Sequence, residues 1–282
     1  MSNVDLHMHS TCSDGSDTIE ELYRHVQQAH IHTFALTDHD TIKGIAKMEA
    51  MIEPGDHFIR GIEFSAITKY REVHILGYNY DPSSPALLAA IAEGREKRKR
   101  KLDNRLDYLK EHFHIVFDSD DVAYLHSLNS AAKPHLGRML MKYGYCQSIS
   151  EGIEKYIKGC PGDQDRLDYR TAITAIRKAG GIAIWAHPLG GEHMRHFEKW
   201  ELERQLDLLL EAGIQGMECY YSRYNEEEIT LLLQEAKRHH LLVSGGSDYH
   251  GANKNIPLGT LNNFGEEVKR EQLTLLDNLR KQ

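Results

Sequence analysis

Val4-Asp5-Leu6-His7-Met8-His9-Ser10-Thr11-Cys12-Ser13-Asp14-Gly15 opens the chain with a short apolar strand that runs straight into two histidines, a polar turn and an aspartate. Side chains two apart on a strand point to one face. His7 and His9 therefore aim two imidazoles at one point, and the Ser13-Asp14-Gly15 turn brings a carboxylate back towards it. Two imidazoles and a carboxylate suit a divalent transition metal. An isolated His-x-His is more often an exposed, histidine-rich terminus. Recurrence decides against that here, because the same chemistry returns at four later strand-like ends.

The alternation downstream sets the fold class. Residues 16–22 read as a helix start, with Thr18 and Glu21 at capping-box spacing, and Ile19, Leu22, Val26 and Ala29 follow helical periodicity. The nearly continuous apolar run 33–37 is the kind of strand a parallel sheet buries, and it ends in Asp38-His39-Asp40. A helix over 42–52, a strand over 58–65 carrying Glu63 and a strand over 72–78 carrying His74 follow. This is β-α-β-α order with polar residues gathered near strand ends, where barrels of parallel strands keep their chemistry.

From 85 to 162 the chain reads almost wholly helical, with helices over 87–109, 118–125, 135–143 and 149–158 and no strand expected before 181. Alternation then returns. Helices are expected over 169–178, 202–212 and 226–239, strands over 182–186, 216–221 and 241–246, and a closing helix over 268–280. The expected architecture is α/β, with a first barrel part over 1–82, a helical insertion or cap over 83–165 and a second barrel part over 166–282.

Composition narrows the function classes. A length of 282 residues suits two ordinary domains or one barrel with an insertion. A net charge of −8 argues against wholesale nucleic-acid binding, and no stable DNA binding is expected, although a local basic patch could still handle a phosphate. Cys12, Cys146, Cys160 and Cys219 form no Cys-x-x-Cys pair, which argues against a disulfide framework or a zinc knuckle. The N-terminus lacks the basic and apolar regions of a signal peptide, and no apolar run is long enough to span a membrane. A cytoplasmic location is the expectation.

Collected in order, the strand-end residues are His7, His9, Asp14, His39, Glu63, His74, His187, Asp248 and His250. Six imidazoles and three carboxylates are too many for one tetrahedral ion and enough for two or three ions with shared ligands. Divalent ions about 3.5–4 Å apart activate water and clamp the oxygens of a displacement at phosphorus. Spacing and chemistry alone thus suggest a metal-dependent phosphoesterase or amidohydrolase.

The strings Asp5-Leu6-His7-Met8-His9-Ser10, Ser13-Asp14-Gly15, Thr37-Asp38-His39-Asp40, Gly61-Ile62-Glu63, Ala186-His187-Pro188 and Gly246-Ser247-Asp248-Tyr249-His250 together resemble the motifs of the PHP (polymerase and histidinol phosphatase) family. The resemblance covers the chain outside the insertion and is nearest to the small bacterial phosphoesterases with a helical insertion after the strand of His74. It implies a distorted (β/α)7 barrel and a trinuclear site. His7, His9, Glu63 and Asp248 would bind one metal, Asp14, His39 and His250 a second, and Glu63, His74 and His187 a third, with Glu63 bridging. Position 14 is aspartate where some members have histidine. Manganese is the first expectation, with iron or zinc as alternatives. In the implied mechanism a metal-bridging hydroxide, not a side chain, attacks phosphorus.

Four further residues are candidates. Asp38 flanks His39 and enters as a catalytic candidate, either orienting a ligand imidazole or simply capping a turn. His135 and Arg138 share a helix face, and related phosphoesterases hold the substrate phosphate with a similar Pro-His-x-x-Arg segment. They are therefore catalytic and substrate-binding candidates, the alternative being an ordinary helix start after proline. Arg223, in Tyr220-Tyr221-Ser222-Arg223-Tyr224, is expected at the rim, where it could touch a second phosphate while a base stacks on a tyrosine; rim packing is the alternative. The charge run 95–101 reads as a solvated helix face or as guidance for an anion.

The expected activity is hydrolysis of a phosphate monoester on a small nucleotide-like substrate, a nucleoside 3′,5′-bisphosphate or 5′-monophosphate. Alternatives are a 5′-3′ exoribonuclease on short RNA ends, a histidinol-phosphate-type phosphatase, and a non-catalytic metal-stabilised module.

Overall fold

The computed structural model describes residues 1–128, 131–162, 165–191 and 195–279. Strand β1 (Val4–Asp5) leads through the site loop to helix α1 (Ile19–Gln28), whose start is tied as expected: Glu21 N donates to Thr18 Oγ1 at 3.2 Å, and Thr18 N to Glu21 Oε2 at 2.9 Å. Its apolar stripe of Ile19, Leu22 and Val26 is buried against β2 (Thr33–Leu36) and a short α2 (Ile45–Glu49). Strands β3 (His57–Ile67) and β4 (Glu72–Tyr78) form a hairpin. Four helices follow: α3 (Pro85–Phe113), α4 (Ser119–Ser127), α5 (Lys133–Lys142) and α6 (Ile149–Gly152), the last continuing into a π-helical turn over Ile153–Ile157. The remainder alternates: β5 (Leu167–Asp168), α7 (Tyr169–Lys178), β6 (Ile182–Trp185), α8 (Lys199–Glu211), β7 (Gly216–Tyr221), α9 (Glu226–Arg238), β8 (Leu242–Gly246) and α10 (Leu275–Leu279).

Hydrogen bonding orders the sheet β1-β2-β3-β4-β6-β7-β8, a nearly closed barrel of seven strands, with β5 paired to the end of β3. Closure comes just beyond the strand ends. Leu6 N donates to Gly245 O at 3.2 Å, Asp248 N to His7 O at 2.9 Å and His9 N to Tyr249 O at 2.9 Å. Strand β4 is antiparallel to both β3 and β6, and the other neighbours on this path are parallel. The reversal explains where His74 lies. In a reversed strand it is the N-terminal half that reaches the rim where the parallel strands have their C-terminal ends.

The barrel interior and its helices share one apolar cluster, which includes Ile62, Phe64, Ile75, Ile184 and Met217. The first turns of α3 belong to it through Leu87, Ala90 and Ile91, whereas Leu102, Leu109, Leu125, Leu136, Leu140 and Ile157 make a separate cluster in the helical segment. Trp185 is barrel core, as its strand context implies.

Several expectations need correction. The run 95–101 is not a uniformly solvated face: Arg98 and Lys101 are buried with Arg105, while Glu96, Lys99 and Arg100 face out, because the helix turns one side onto the barrel. A strand does precede residue 181, since two residues of β5 suffice to continue the edge of β3. The expected 42–52 and closing helices are shorter, the latter reduced to a 3-10 turn (Arg270–Gln272) and α10, with residue 280 and also His193 outside the described residues.

Gly246 stands where β8 meets the site loop, and a Cβ there would lie 2.2 Å from His7 Cβ and 2.6 Å from His7 N. All of these contacts fall on the backbone and Cβ of His7, itself held in the closing seam, and leave no room to yield. Gly246→Ala is expected to lower the melting temperature by several degrees, at a cost of about 1–3 kcal/mol or more. A wild-type melting curve by circular dichroism would show that the barrel closes differently.

Candidate metal centre

Strand pairing delivers the site residues. Met8 bridges Tyr249 across the closing seam and so sets His7 and His9, while His39 bridges Glu63 just beyond the paired ends of β2 and β3. Three site-region residues have left-handed backbone, Asp40 (φ 51°), His187 (φ 28°) and Asp248 (φ 58°). Such conformations cost energy in L-residues and collect at functional sites.

Glu63 is the hub. Its Oε2 lies 3.1 Å from His7 Nε2, 3.1 Å from His9 Nε2 and 3.2 Å from His39 Nδ1, and its Oε1 lies 2.9 Å from His74 Nδ1 and 3.2 Å from His187 Nε2. Asp248 Oδ1 is 3.5 Å from His7 Nε2, 3.4 Å from His9 Nε2 and 3.4 Å from His250 Nδ1. Asp14 faces His250 Nε2 at 3.3 Å and His39 Nε2 at 4.0 Å. Possible ligand atoms within 4.8 Å of one another therefore fall into three overlapping groups: His7, His9, Glu63 and Asp248; His9, Asp14, His39 and His250; and His39, Glu63 and His74. His187 reaches the third group through Glu63. All nine sequence candidates converge. Among the described residues, buried His7 Nε2, His9 Nε2, Asp14 Oδ1 and Glu63 Oε2 complete no hydrogen bond of good geometry, although they approach one another and His250 at 3.1–3.3 Å. Orphaned buried polar atoms are costly, and four of them converging with mixed imidazole and carboxylate chemistry fit divalent cations.

Electrostatics agree. Burial opposes ionisation of Glu63, yet the imidazoles of His39, His7 and His74 hold its carboxyl well below its usual range. Burial likewise opposes protonation of His9 and His74, but Asp248 and Glu63 around His9, and Glu63 and Glu72 around His74, push each up to about 9. Burial leaves His39 and His250 below the ordinary imidazole value. In the cation-free chain protons on some of the rings answer the carboxylates.

Several supporting residues escaped the sequence reading. Glu218, fully buried, accepts from ring and backbone of the site: its Oε1 is 2.9 Å from His7 Nδ1 and its Oε2 accepts from His187 N at 2.8 Å. A carboxylate on the far ring nitrogen fixes tautomer and aim. The signal was there, an acid inside a strand otherwise buried. Asp5 accepts from His7 N, Ser247 N and Gly259 N and so locks both sides of the seam. Lys254 Nζ donates to Asp248 Oδ2 at 2.6 Å, and Tyr221 OH to the same oxygen at 3.0 Å.

A cavity of about 330 Å³ opens over the cluster, roofed by Lys133, Pro134, Ile149, Ser150 and Ile153, with Asn253 and Lys254 at its side. Asp38 does not line it. Its buried carboxylate accepts from Ser10 N and Oγ and from Ser13 Oγ, and Ser13 Oγ is 3.4 Å from His9 Nδ1. His135, buried beside this roof, accepts from Ala132 N at Nδ1, and burial lowers its pKa. Arg138 donates to Asn253 Oδ1, and Asn253 Nδ2 donates to Asp14 O at 2.7 Å. Arg223 does not line the cavity. Tyr220, Tyr221 and Tyr224 are buried, which corrects the expectation of an open tyrosine face for a base: they pack between β7 and its neighbours.

A family model described as PHP domain matches residues 5–179. A phosphoribosyl 1,2-cyclic phosphate 1,2-diphosphodiesterase of Eggerthella lenta is 32% identical, covering 90% of this chain and 96% of that protein. A 5′-3′ exoribonuclease, Rnm, of Escherichia coli is 31% identical, covering 90% and 87%. A 3′,5′-nucleoside bisphosphate phosphatase of Chromobacterium violaceum is 31% identical, covering 89% and 88%. The crystal structure of a candidate metal-dependent phosphoesterase from Bifidobacterium adolescentis matches with a TM-score of 0.80 at 28% identity, covering 99% of this chain and 94% of that one.

Two outcomes follow. Cations must expel the protons that the raised pKa values of His9 and His74 hold at neutral pH, so affinity rises with pH and falls on acidification. Calorimetric manganese titration of chelated protein between pH 6 and 8 is expected to show about tenfold tighter binding per pH unit for each proton displaced; a pH-independent affinity contradicts this. Glu218→Ala is expected to weaken manganese binding about 10–100-fold, and wild-type affinity in that variant would remove its orienting role.

Proposed function

This chain belongs to the PHP family, and from that premise we propose that it is a metal-dependent phosphoesterase hydrolysing a phosphate monoester of a small nucleotide-like substrate. A nucleoside 3′,5′-bisphosphate or 5′-monophosphate fits best, in line with the phosphatase of Chromobacterium violaceum. The observation that carries the reading is the set of buried atoms on His7, His9, Asp14 and Glu63 that complete no hydrogen bond of good geometry and converge beneath a roofed cavity. In this reading residues 83–165 are the cap over a barrel of residues 1–82 and 166–282 in a cytoplasmic protein. Among the described residues no helix is long and apolar enough to cross a membrane.

His7, His9, Glu63 and Asp248 hold one divalent cation, Asp14, His39 and His250 a second, and Glu63, His74 and His187 a third, with manganese first and iron or zinc as alternatives. Bound cations acidify water and neutralise charge on phosphoryl oxygens. The chain's own groups do the rest. Glu218 aims His7, and Ser13 with Asp38 steadies His9. His135, whose Nδ1 is taken by Ala132 N, carries its proton on Nε2 when neutral and can only donate there, to a phosphate oxygen. Arg138 offers a planar fork for the same phosphate, with Asn253 holding its guanidinium until substrate arrives. Arg223 is kept as a distal contact for a second phosphate. Lys254 and Lys133 bring positive charge to the cavity wall, which concentrates an anionic substrate.

Phosphate release from adenosine 3′,5′-bisphosphate and adenosine 5′-monophosphate, with manganese and with chelator, tests the reading. Chelator-sensitive release from at least one is expected, with His39→Ala or Asp248→Ala lowering kcat at least about a hundredfold while the circular dichroism spectrum is kept. Full activity in either variant would falsify the ligand set. Arg138→Ala is expected to raise KM more than it lowers kcat; an unchanged KM removes it from the substrate site.

A further inference from the structure

Helix α8 turns one stripe to the barrel and the opposite one to solvent. Leu202, Leu206 and Leu209 are buried in the main apolar cluster. Trp200, Arg204, Asp207 and Glu211, spaced four, three and four apart, are exposed. At 3.6 residues per turn these four fall within about 60° of one another, opposite the leucines, along about 16.5 Å of helix. The exposed stripe is ordered in charge. Its N-terminal half carries an indole and a guanidinium, and its C-terminal half carries two carboxylates.

Trp200 is 59% exposed, an unusual setting for the largest side chain. The Arg204 guanidinium lies 3.5 Å from the Tyr70 ring centre. Among the described residues no acid pairs with Arg204, and no cation pairs with Asp207 or Glu211. Beside the stripe, Lys69, Tyr70, Trp200 and Arg204 line an open pocket of about 440 Å³. Glu201, which also lines it, is tied to Arg195 at 2.6 and 2.8 Å. The pocket therefore offers donors: the Lys69 ammonium, the Arg204 guanidinium and the Trp200 indole N–H.

The spacing is symmetric. Positions 200 and 211, and positions 204 and 207, share one midpoint, between residues 205 and 206. A two-fold axis through that midpoint, perpendicular to α8, lays the α8 of a second copy antiparallel on the first. It sets Arg204 against Asp207 and Trp200 against Glu211, each pair twice. A closed two-fold contact requires such self-complementarity. A parallel overlay in register would set Arg204 on Arg204 and Asp207 on Asp207, which like-charge repulsion disfavours.

We propose that this stripe pairs two copies of the chain about a two-fold axis. Arg204 of each copy meets Asp207 of the other, and Glu211 enters the pocket of Lys69 and Trp200 on the opposite copy. Tryptophan, tyrosine and arginine are the side chains on which protein contacts concentrate their energy. One helix stripe and one turn make a small interface, so the pairing is reversible and concentration-dependent. It uses none of the candidate ligands and stands or falls independently of the phosphoesterase reading.

Sedimentation equilibrium of the full chain from about 5 to about 500 µM tests it, a range suited to a small interface. A monomer–dimer equilibrium is expected, weakening as salt screens the charge pairs. Arg204→Asp and Asp207→Arg are each expected to weaken association at least about tenfold, because each sets like charges face to face at both pairs. An equimolar mixture of these two variants is expected to regain association, since the all-acid stripe of one then faces the all-cation stripe of the other. The double variant Arg204→Asp/Asp207→Arg is expected to regain it alone. All three substitutions lie on the exposed stripe, and circular dichroism melting curves matching the wild type establish that folded protein is being weighed. A monomer at every concentration, wild-type association in both single variants, or no association in the mixture overturns the proposal.

Discussion

A single buried carboxylate, Glu63, meets five imidazoles, and the rest of the structure is arranged around that fact. Its two oxygens lie within 3.2 Å of ring nitrogens from four separate parts of the chain. Taking such charges out of water is expensive unless opposite charge answers them at close range. Protons or divalent cations must sit among these groups for the arrangement to stand. The barrel provides the geometry. Its closing hydrogen bonds fall at His7, His9, Asp248 and Tyr249, so the seam that completes the fold is also the wall of the site.

The helical segment reaches into this wall. Arg98 of α3 donates to Asp40 Oδ2 at 2.5 Å and to Ser65 Oγ at 2.5 Å, and Ser65 Oγ is 3.4 Å from His39 Nδ1. Asp40 accepts from Ser65 N as well. A buried guanidinium paired on both sides transmits the position of α3 to a candidate ligand, which makes the long helix a structural part of the site, while the roof comes from the later helices of the segment. Burial of His7, His9, Glu63 and Asp248 strengthens the electrostatic contacts among them.

Charge is distributed to match. A chain of net charge −8 repels polyanions at long range, while Lys133 and Lys254 at the cavity act within roughly a Debye length of about 8–10 Å.

The nine candidate ligands were legible before any coordinates because each is a local signal: an imidazole or carboxylate at the end of an apolar strand, where strand period and barrel geometry leave one place for it to point. The capping box at Thr18 and the strand-helix alternation were legible for the same reason, since periodicity and caps are written within a few residues. What the chain did not reveal locally depends on partners far away in sequence. Asp5 accepts from Ser247, 242 residues on, and Glu218 turns His7, 211 residues back. The reversal of β4, the burial of Arg98 inside a run of charges and the burial of the tyrosines in and just after β7 belong to the same class. Residue type and spacing determined which groups this protein gathers at its candidate metal centre. The tertiary structure alone decided which of them are oriented, which are shielded and where the cavity leads, because desolvation and hydrogen-bond geometry are properties of the packed neighbourhood and not of the strand that carries the residue.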